Sequence, residues 1–363
     1  MNSNFLLASY NFHLPEAQIA QKPAVRREGS RLLRVDCQSG VITHGKFPDL
    51  GRLFSAGDVL VINDTKVFPA RLLGHKETGG KVELLLLNYP VFASDRYRTA
   101  FSRVDGESDV SALLKSSKRP RPGSRLLFGS DLEAIVKEDN GNGSVLVSLK
   151  WQGDLDEALG KYGKIPLPPY IRRAAGPDDE DRQRYQTVYA KPNGAIAAPT
   201  AGLHFTDELL LDLQGRGVVI APLTLHVGYG TFAPVRSRDI REHAIHSEWV
   251  DVSAASAAVI NQSRLAGGRV WAIGTTSARA LEFAADAAGV VRAVSGACKL
   301  YIYPGYKYRV VDNLVTNFHL PKSSLLFMVS AFASRDLVMS AYQEALERGY
   351  RFYSYGDAMV LIR

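Results

Sequence analysis

Two short blocks, residues 59–62 (VLVI) and 270–273 (VWAI), are apolar at every position and too short to be helices. Unbroken apolar runs of this length fit strands buried on both faces, and such strands belong to sheets covered by helices. The second block leads directly into TTSARALEFAADAAG, which reads as a helix. Beyond residue 150 strand and helix signals alternate, with SSLLFMVSAFA and DLVMSAYQEALERG as two successive helices and a closing strand in YRFYSYGDAMVLIR. That alternation implies an α/β main domain. Thr206 should N-cap a helix with Asp207 and Glu208 in its first turn and Gly215 near its end.

Between these parts the texture changes. KVELLLL, SRLLF, LEAIVK and SVLVSLK are short strand-like runs separated by turn signals, including Asn-Gly-Asn-Gly at 140–143. They imply an all-β barrel inserted at 68–150, which leaves 1–67 and 151–363 as a discontinuous α/β domain.

With 363 residues, the chain has room for both parts. Its net charge of +7 and pI near 9.2 point mildly toward a polyanionic partner. Cys37 and Cys298 lie far apart, which argues against a disulfide framework and a thiolate metal site. The opening MNSNFLLASYNFHLPEA lacks the basic start and long apolar segment of a signal peptide, and no run approaches a membrane span. A cytoplasmic location, with no membrane contact, is the expectation.

Several stretches are candidates for chemistry. In AIGTTSARALE, Thr275, Thr276 and Ser277 sit where a helix N-terminus offers unpaired N–H groups to a carboxylate, ribose or phosphate; they could equally be ordinary caps. The spacing matches neither the Walker phosphate loop nor GxGxxG. His226 in LTLHVGYGTF precedes glycines that permit close backbone approach. A lone histidine there is more often a hydrogen-bonded core residue. His204, His226 and His319, each beside Gly, Pro or Thr in uncharged surroundings, together suggest one pocket. The pair His243 and His246 has metal-compatible spacing, but no further ligand cluster supports it. KSSKRPRPGSR (115–125) and the stretches KYGKIPLPPYIRR and RQRYQTVYAK mix basic and aromatic residues. They suit nucleic-acid contact, and equally a solvated loop or snorkelling arginines.

At VLVINDTKVFPARLLG, GKIPLPPYIRR, DRQRYQTVYAKPNGAIAAPTAGLHFT, LTLHVGYGTFAPV, AIGTTSARALE, YIYPGYKYRVVDNLVTNFHLPKSSLLFMVSAFA and GYRFYSYGDAM, the chain resembles the S-adenosylmethionine:tRNA ribosyltransferase-isomerases of queuosine biosynthesis. The agreement runs from 14 to 359, is weakest over 91–115, and departs at Ala278, where the family usually has Val.

The resemblance implies the discontinuous α/β domain with its barrel. It also implies transfer of the ribosyl part of S-adenosylmethionine to 7-aminomethyl-7-deazaguanine at the wobble position of tRNAs with a GUN anticodon, releasing adenine and methionine. S-adenosylmethionine is then a co-substrate, no metal or redox cofactor is needed, and the chain is expected to be a monomer. The site residues expected on that basis are His204, His226 and His319 for catalysis, one of the first two as base, with Tyr355 and Asp357 bordering. Thr200, Gly202, Gly228, Thr275, Thr276, Arg279, Asn63 and Asp64 would hold S-adenosylmethionine. Arg71, Lys115, Lys118, Arg119, Arg121, Arg172, Arg173, Arg184 and Tyr185 would meet RNA, Arg71 also reaching the nucleoside end. The charge-free run AIAAPTAGLHFT would form a dry wall that presents His204 to the sulfonium. The alternatives are a non-catalytic RNA-binding protein and an enzyme acting on a free nucleoside.

Overall fold

The computed structural model describes residues 3–90, 105–174, 176–232 and 234–363. Residues 91–104, most of the divergent 91–115 stretch, lie outside that set. The chain divides into two compact units: Met1–Thr65, Gln186–Pro192 and Ala198–Arg363, and Lys66–Tyr185 with Asn193–Ala197.

The first unit is built on a nine-stranded mixed sheet. Its strands are β1 (Arg31–Asp36), β2 (Ile42–Lys46), β3 (Val59–Asn63), β13 (Val219–His226), β14 (Glu248–Val252), β15 (Val270–Ile273), β16 (Val294–Cys298), β17 (Asn313–Asn317) and β18 (Ala358–Ile362), ordered β16-β14-β13-β3-β15-β17-β18-β1-β2. The apolar blocks are central: β3 and β15 are buried throughout and pair in parallel, Val59 opposite Val270. β13 joins β3 and β17 joins β15, also in parallel, so four neighbouring strands point the same way. Helices α3 (Asp207–Gly215), α4 (Ala254–Leu265), α5 (Gly274–Ala284), α6 (Ser324–Phe332) and α7 (Arg335–Glu347) complete the layers. Thr206 caps α3 by accepting from the Leu209 N–H. Between β15 and α5 the chain turns at Gly274, whose φ of +87° is a conformation that side-chain-bearing residues resist.

The second unit holds the barrel. Strands β5 (Arg71–Lys76), β6 (Lys81–Leu86), β7 (Gly106–Ser116), β10 (Ser144–Trp151), β9 (Leu132–Gly141) and β8 (Arg125–Leu127) pair antiparallel in that order, and β8 returns to β5 to close the ring. The period-two pattern of β6 sends Val82, Leu84 and Leu86 inward. Residues 141–143, all at positive φ, make the turn between β9 and β10. Two short pairings flank the barrel: β4 (Lys66–Val67) with β12 (Asn193–Ala195), and β11 (Gly163–Lys164) with β5. Helix α1 (Leu155–Tyr162) buries Leu155, Ala158 and Leu159 in the barrel's core, so the unit runs past residue 150 and takes in α2 (Asp179–Arg184). Among the described residues no single helix is long and apolar enough to cross a membrane.

Candidate active site at the carboxyl edge of the sheet

The four parallel strands end side by side at His226, Asn63, Ile273 and Asn317. Open α/β sheets bind ligands beyond that edge, where loops meet helix N-termini. β18 runs antiparallel to β17 with Ala358 opposite Asn317, so Tyr355 and Asp357 arrive at the same edge. β1 is parallel to β18 and brings Ser30 there as well.

At the β13 end, Asn63 works as a backbone surrogate: its Nδ2 donates to Leu225 O (2.9 Å) and its Oδ1 accepts from the N–H groups of Leu225 (2.9 Å) and Thr65 (3.2 Å). This extends the ladder past the strand's end and presents Thr65, whose Oγ1 lies 2.7 Å from His226 Nδ1. Burial pulls the His226 imidazole down to about 4, so it is neutral near pH 7 and able to accept a proton. Beside it Asp64 accepts from Thr224 Oγ1 (2.7 Å), and burial pushes its carboxyl above the usual range. Asn63 thus shapes the edge, where Asp64 and His226 are each shifted by burial.

His204 sits differently. Its Nδ1 lies 2.8 Å from Ser30 Oγ and its Nε2 3.1 Å from Asn317 Nδ2, while the Phe47 ring packs on it at 5.0 Å. An amide N–H can only donate, so Nε2 accepts and Nδ1 carries the hydrogen given to Ser30. Both ring nitrogens are therefore committed to protein, and burial holds this imidazole at about 4 too. The three histidines are held by different partners. Asn317 bonds His204, whereas the preceding Thr316 bonds His319 Nε2 (2.8 Å), and successive strand residues leave opposite faces. His319, down to about 3 by burial, also gives its backbone N–H to Tyr342 of α7 (2.9 Å). His226 is three strands away from β17, roughly 14 Å at ordinary strand spacing.

The residues expected to hold S-adenosylmethionine also separate. Thr275 is buried and Thr276 half-buried in the first turn of α5; Thr276 Oγ1 has no hydrogen-bond partner, and no side chain caps the helix. Thr200 opens the 3-10 turn Thr200–His204, whose Ala201 lies against Gly274. Gly202 is small for the protein's sake: a Cβ there would fall 2.2 Å from the Tyr189 hydroxyl. Arg279 does not reach toward a ligand. It is ion-paired with Glu248 and donates to the carbonyls of Leu300 (2.8 Å), His246 (3.1 Å) and Cys298 (3.2 Å). Glu248 in turn takes the N–H of Gly228 (3.0 Å) and the Thr231 hydroxyl (3.1 Å), so Arg279 and Gly228 brace the loop after His226. Asp357 is saturated by Arg31 and by the Arg351 N–H (2.9 Å), and Tyr355 is buried.

Much of the expected RNA-facing charge is neutralised within the second unit. Arg71 pairs with Glu83 (2.7 Å), Arg119 with Asp139, and Arg173 with Asp181 (2.7 Å). Tyr185 is fully buried and cannot stack on a base; Arg184 is half-buried at the end of α2. Lys115, Lys118, Arg121 and Arg172 are exposed. His243 and His246 join no group of three or more metal-ligating side chains among the described residues.

Ser30, Thr65 and Asn317 were not anticipated. Asn317 alone had a signal, since it stands before His319 at a strand end much as Asn63 does; nothing local marks Ser30, 174 residues from the histidine it holds.

A family model described as "Queuosine biosynthesis protein" matches residues 7–361. The chain is 48% identical over 365 residues to the S-adenosylmethionine:tRNA ribosyltransferase-isomerase of Desulfotalea psychrophila, covering 100% of this chain and 99% of the relative. It is 50% identical over 365 residues to that of Nitratidesulfovibrio vulgaris strain Hildenborough (99% and 98%). It is also 48% identical over 357 residues to that of Geobacter sulfurreducens (98% and 99%). The crystal structure of S-adenosylmethionine tRNA ribosyltransferase from Thermotoga maritima matches with a TM-score of 0.54 and 30% identity, covering 98% of this chain and 100% of that one. The chain belongs to the queuosine biosynthesis family of S-adenosylmethionine:tRNA ribosyltransferase-isomerases.

Proposed function

We infer that this chain transfers and isomerises the ribosyl moiety of S-adenosylmethionine onto 7-aminomethyl-7-deazaguanine at the wobble position of GUN-anticodon tRNA, giving epoxyqueuosine-tRNA, adenine and methionine. The observation that carries this reading is 48% identity over 100% of the chain to a relative of that name, a match that includes every element of the carboxyl edge.

The sulfonium acidifies the neighbouring 5′ C–H, and a base must take that proton. Adenine then leaves with the electron pair of its glycosidic bond and picks up a proton. The C1′–O4′ bond opens, C5′ bonds to C1′ with the pair freed by its lost proton, and the aminomethyl nitrogen bonds to C1′ and loses a proton. Methionine departs from C5′ with the sulfur–carbon pair as O4′ closes the epoxide between C4′ and C5′. His226 is our choice for the base, because burial keeps its imidazole neutral and the Thr65 hydroxyl on Nδ1 orients it at the end of β13. We assign proton shuttling to Asp64, whose carboxyl burial raises and which accepts from the Thr224 hydroxyl two residues before His226. The N-terminus of α5, with Thr275 and Thr276, suits the amino-acid carboxylate of the co-substrate. Ser30, Asn317 and His204 position the wall opposite. Lys115, Lys118, Arg121 and Arg172 are the barrel-unit cations we assign to RNA phosphates.

The test is direct: mix the protein with S-adenosylmethionine and an anticodon stem-loop carrying the aminomethyl-deazaguanine, and measure free adenine by chromatography. Adenine release that depends on the modified RNA supports the reading. RNA binding without adenine would leave a non-catalytic binder, and release with the free base alone would make RNA dispensable.

A further inference from the structure

Beside the carboxyl edge lies a group of rings that the reaction, as derived, does not use. Tyr301 and Tyr303 pack at 5.0 Å, Phe5 meets Tyr303 edge-on at 6.4 Å, and His243 meets Tyr301 at 5.7 Å. The Arg241 guanidinium lies 4.4 Å from the Phe5 ring centre and is held there by Asp239, which accepts from both Nε (3.0 Å) and Nη2 (2.7 Å). Tyr301 is pinned by its hydroxyl on Ile240 O (2.8 Å). These rings remain partly open to solvent, unlike Tyr10 or Trp271 in the core.

Two further features separate this group from ordinary surface packing. Lys299 and Lys307 flank it in the same segment, both exposed and neither with a carboxylate partner among the described residues. The group is also tied to the candidate site, because Arg279 grips His246 O, Cys298 O and Leu300 O from α5, the helix that begins at the carboxyl edge. Planar faces fixed in advance lose little entropy on binding, and every nucleobase has a face to stack. Unpaired lysines beside them match phosphate rather than an apolar protein partner.

We propose that Phe5, Arg241, Tyr301 and Tyr303 form a stacking platform for unpaired nucleotides of an RNA substrate, with Lys299 and Lys307 meeting the adjoining phosphates. This rests on the reading that tRNA is the substrate. It moves sequence-tolerant recognition of the single-stranded loop onto the first unit, beside the chemistry.

The experiment measures binding of an anticodon stem-loop, and of the same stem closed as a blunt duplex, by the full chain and its variants. Tyr303→Ala should weaken stem-loop binding on the order of tenfold, with the duplex unaffected, while Tyr303→Phe stays near wild type. In the adenine assay Tyr303→Ala should raise KM for RNA and leave kcat and the KM for S-adenosylmethionine unchanged. The double variant Lys299→Ala with Lys307→Ala should make the salt dependence shallower by roughly 1–2 in log–log slope. A folded Tyr303→Ala with unchanged stem-loop affinity, or an equal loss on the duplex, overturns the platform. If wild-type protein binds the stem-loop but releases no adenine, the functional reading fails and the binding series still judges the platform.

Discussion

His204 and His226 both belong to the carboxyl edge of one sheet, and in the sequence they are near twins: each in uncharged surroundings, each followed within a few residues by a turn signal. The structure separates them. His204 has Ser30 on one nitrogen and Asn317 on the other, whereas His226 meets the Thr65 hydroxyl at its Nδ1. A histidine clamped at both nitrogens by Ser30 and Asn317 must break a bond to the protein before it can take a substrate proton. Burial by itself does not distinguish a structural imidazole from a catalytic one, since both are held at about 4. What differs is the anchor: Ser30 and Asn317 hold His204, and Thr65, just past the end of β3, meets His226.

Four measurements can break or sharpen that contrast. The largest expected effect is on turnover: His226→Ala should lower adenine release by about 10²- to 10⁴-fold with the fold and S-adenosylmethionine binding retained, the usual range for loss of a general base. Near wild-type turnover in that variant would remove His226 from the chemistry.

Next is acid. The folded-state values of His204 and His226 lie below the unfolded value of 6.5, so the unfolded chain binds more protons between those limits. Stability should be flat above about pH 6.5 and fall as pH drops toward 4, by on the order of 3 kcal/mol for each histidine. Denaturant titrations of wild type and His204→Gln across that window would check it, the variant falling less steeply. No difference in slope would mean that His204 is not held neutral.

His204→Ala comes third. Leaving Ser30 and Asn317 without their shared partner should cost about 2 kcal/mol of stability, read by denaturant midpoint, while turnover per folded molecule drops far less than in His226→Ala. The reverse outcome would exchange the roles of the two histidines. The smallest effect belongs to the barrel unit: Arg121→Ala should reduce the salt slope of RNA binding by roughly 1, and Arg119→Ala, already paired with Asp139, by less.

Much of the architecture was legible in the chain. The fully apolar β3 and β15, the alternating strands that close the barrel, the Thr206 cap and the two late helices all follow from local period and turn chemistry, which act over a few residues. The edge on which the site sits was also legible, since Asn63, His226 and Thr275 each follow a strand signal. The partners were not. Arg279 looked available beside a helix start, yet its acceptors lie on 246, 248, 298 and 300; Tyr185 looked like a base-stacking residue and is fully buried. The arginines at 71, 119 and 173 looked free because Glu83, Asp139 and Asp181 reach them only through strand pairing or a helix turn.

What the sequence determined by itself was therefore the fold class, the family and the edge of the sheet where chemistry can occur, because hydrophobic period and motif order are properties of neighbouring residues. Only the tertiary structure decided which polar groups are already satisfied and which are left for a substrate. Hydrogen bonds and ion pairs are closed between residues as far apart as Ser30 and His204 or Asn317 and His204, and a side chain's chemical availability is what remains after those long-range bonds are made.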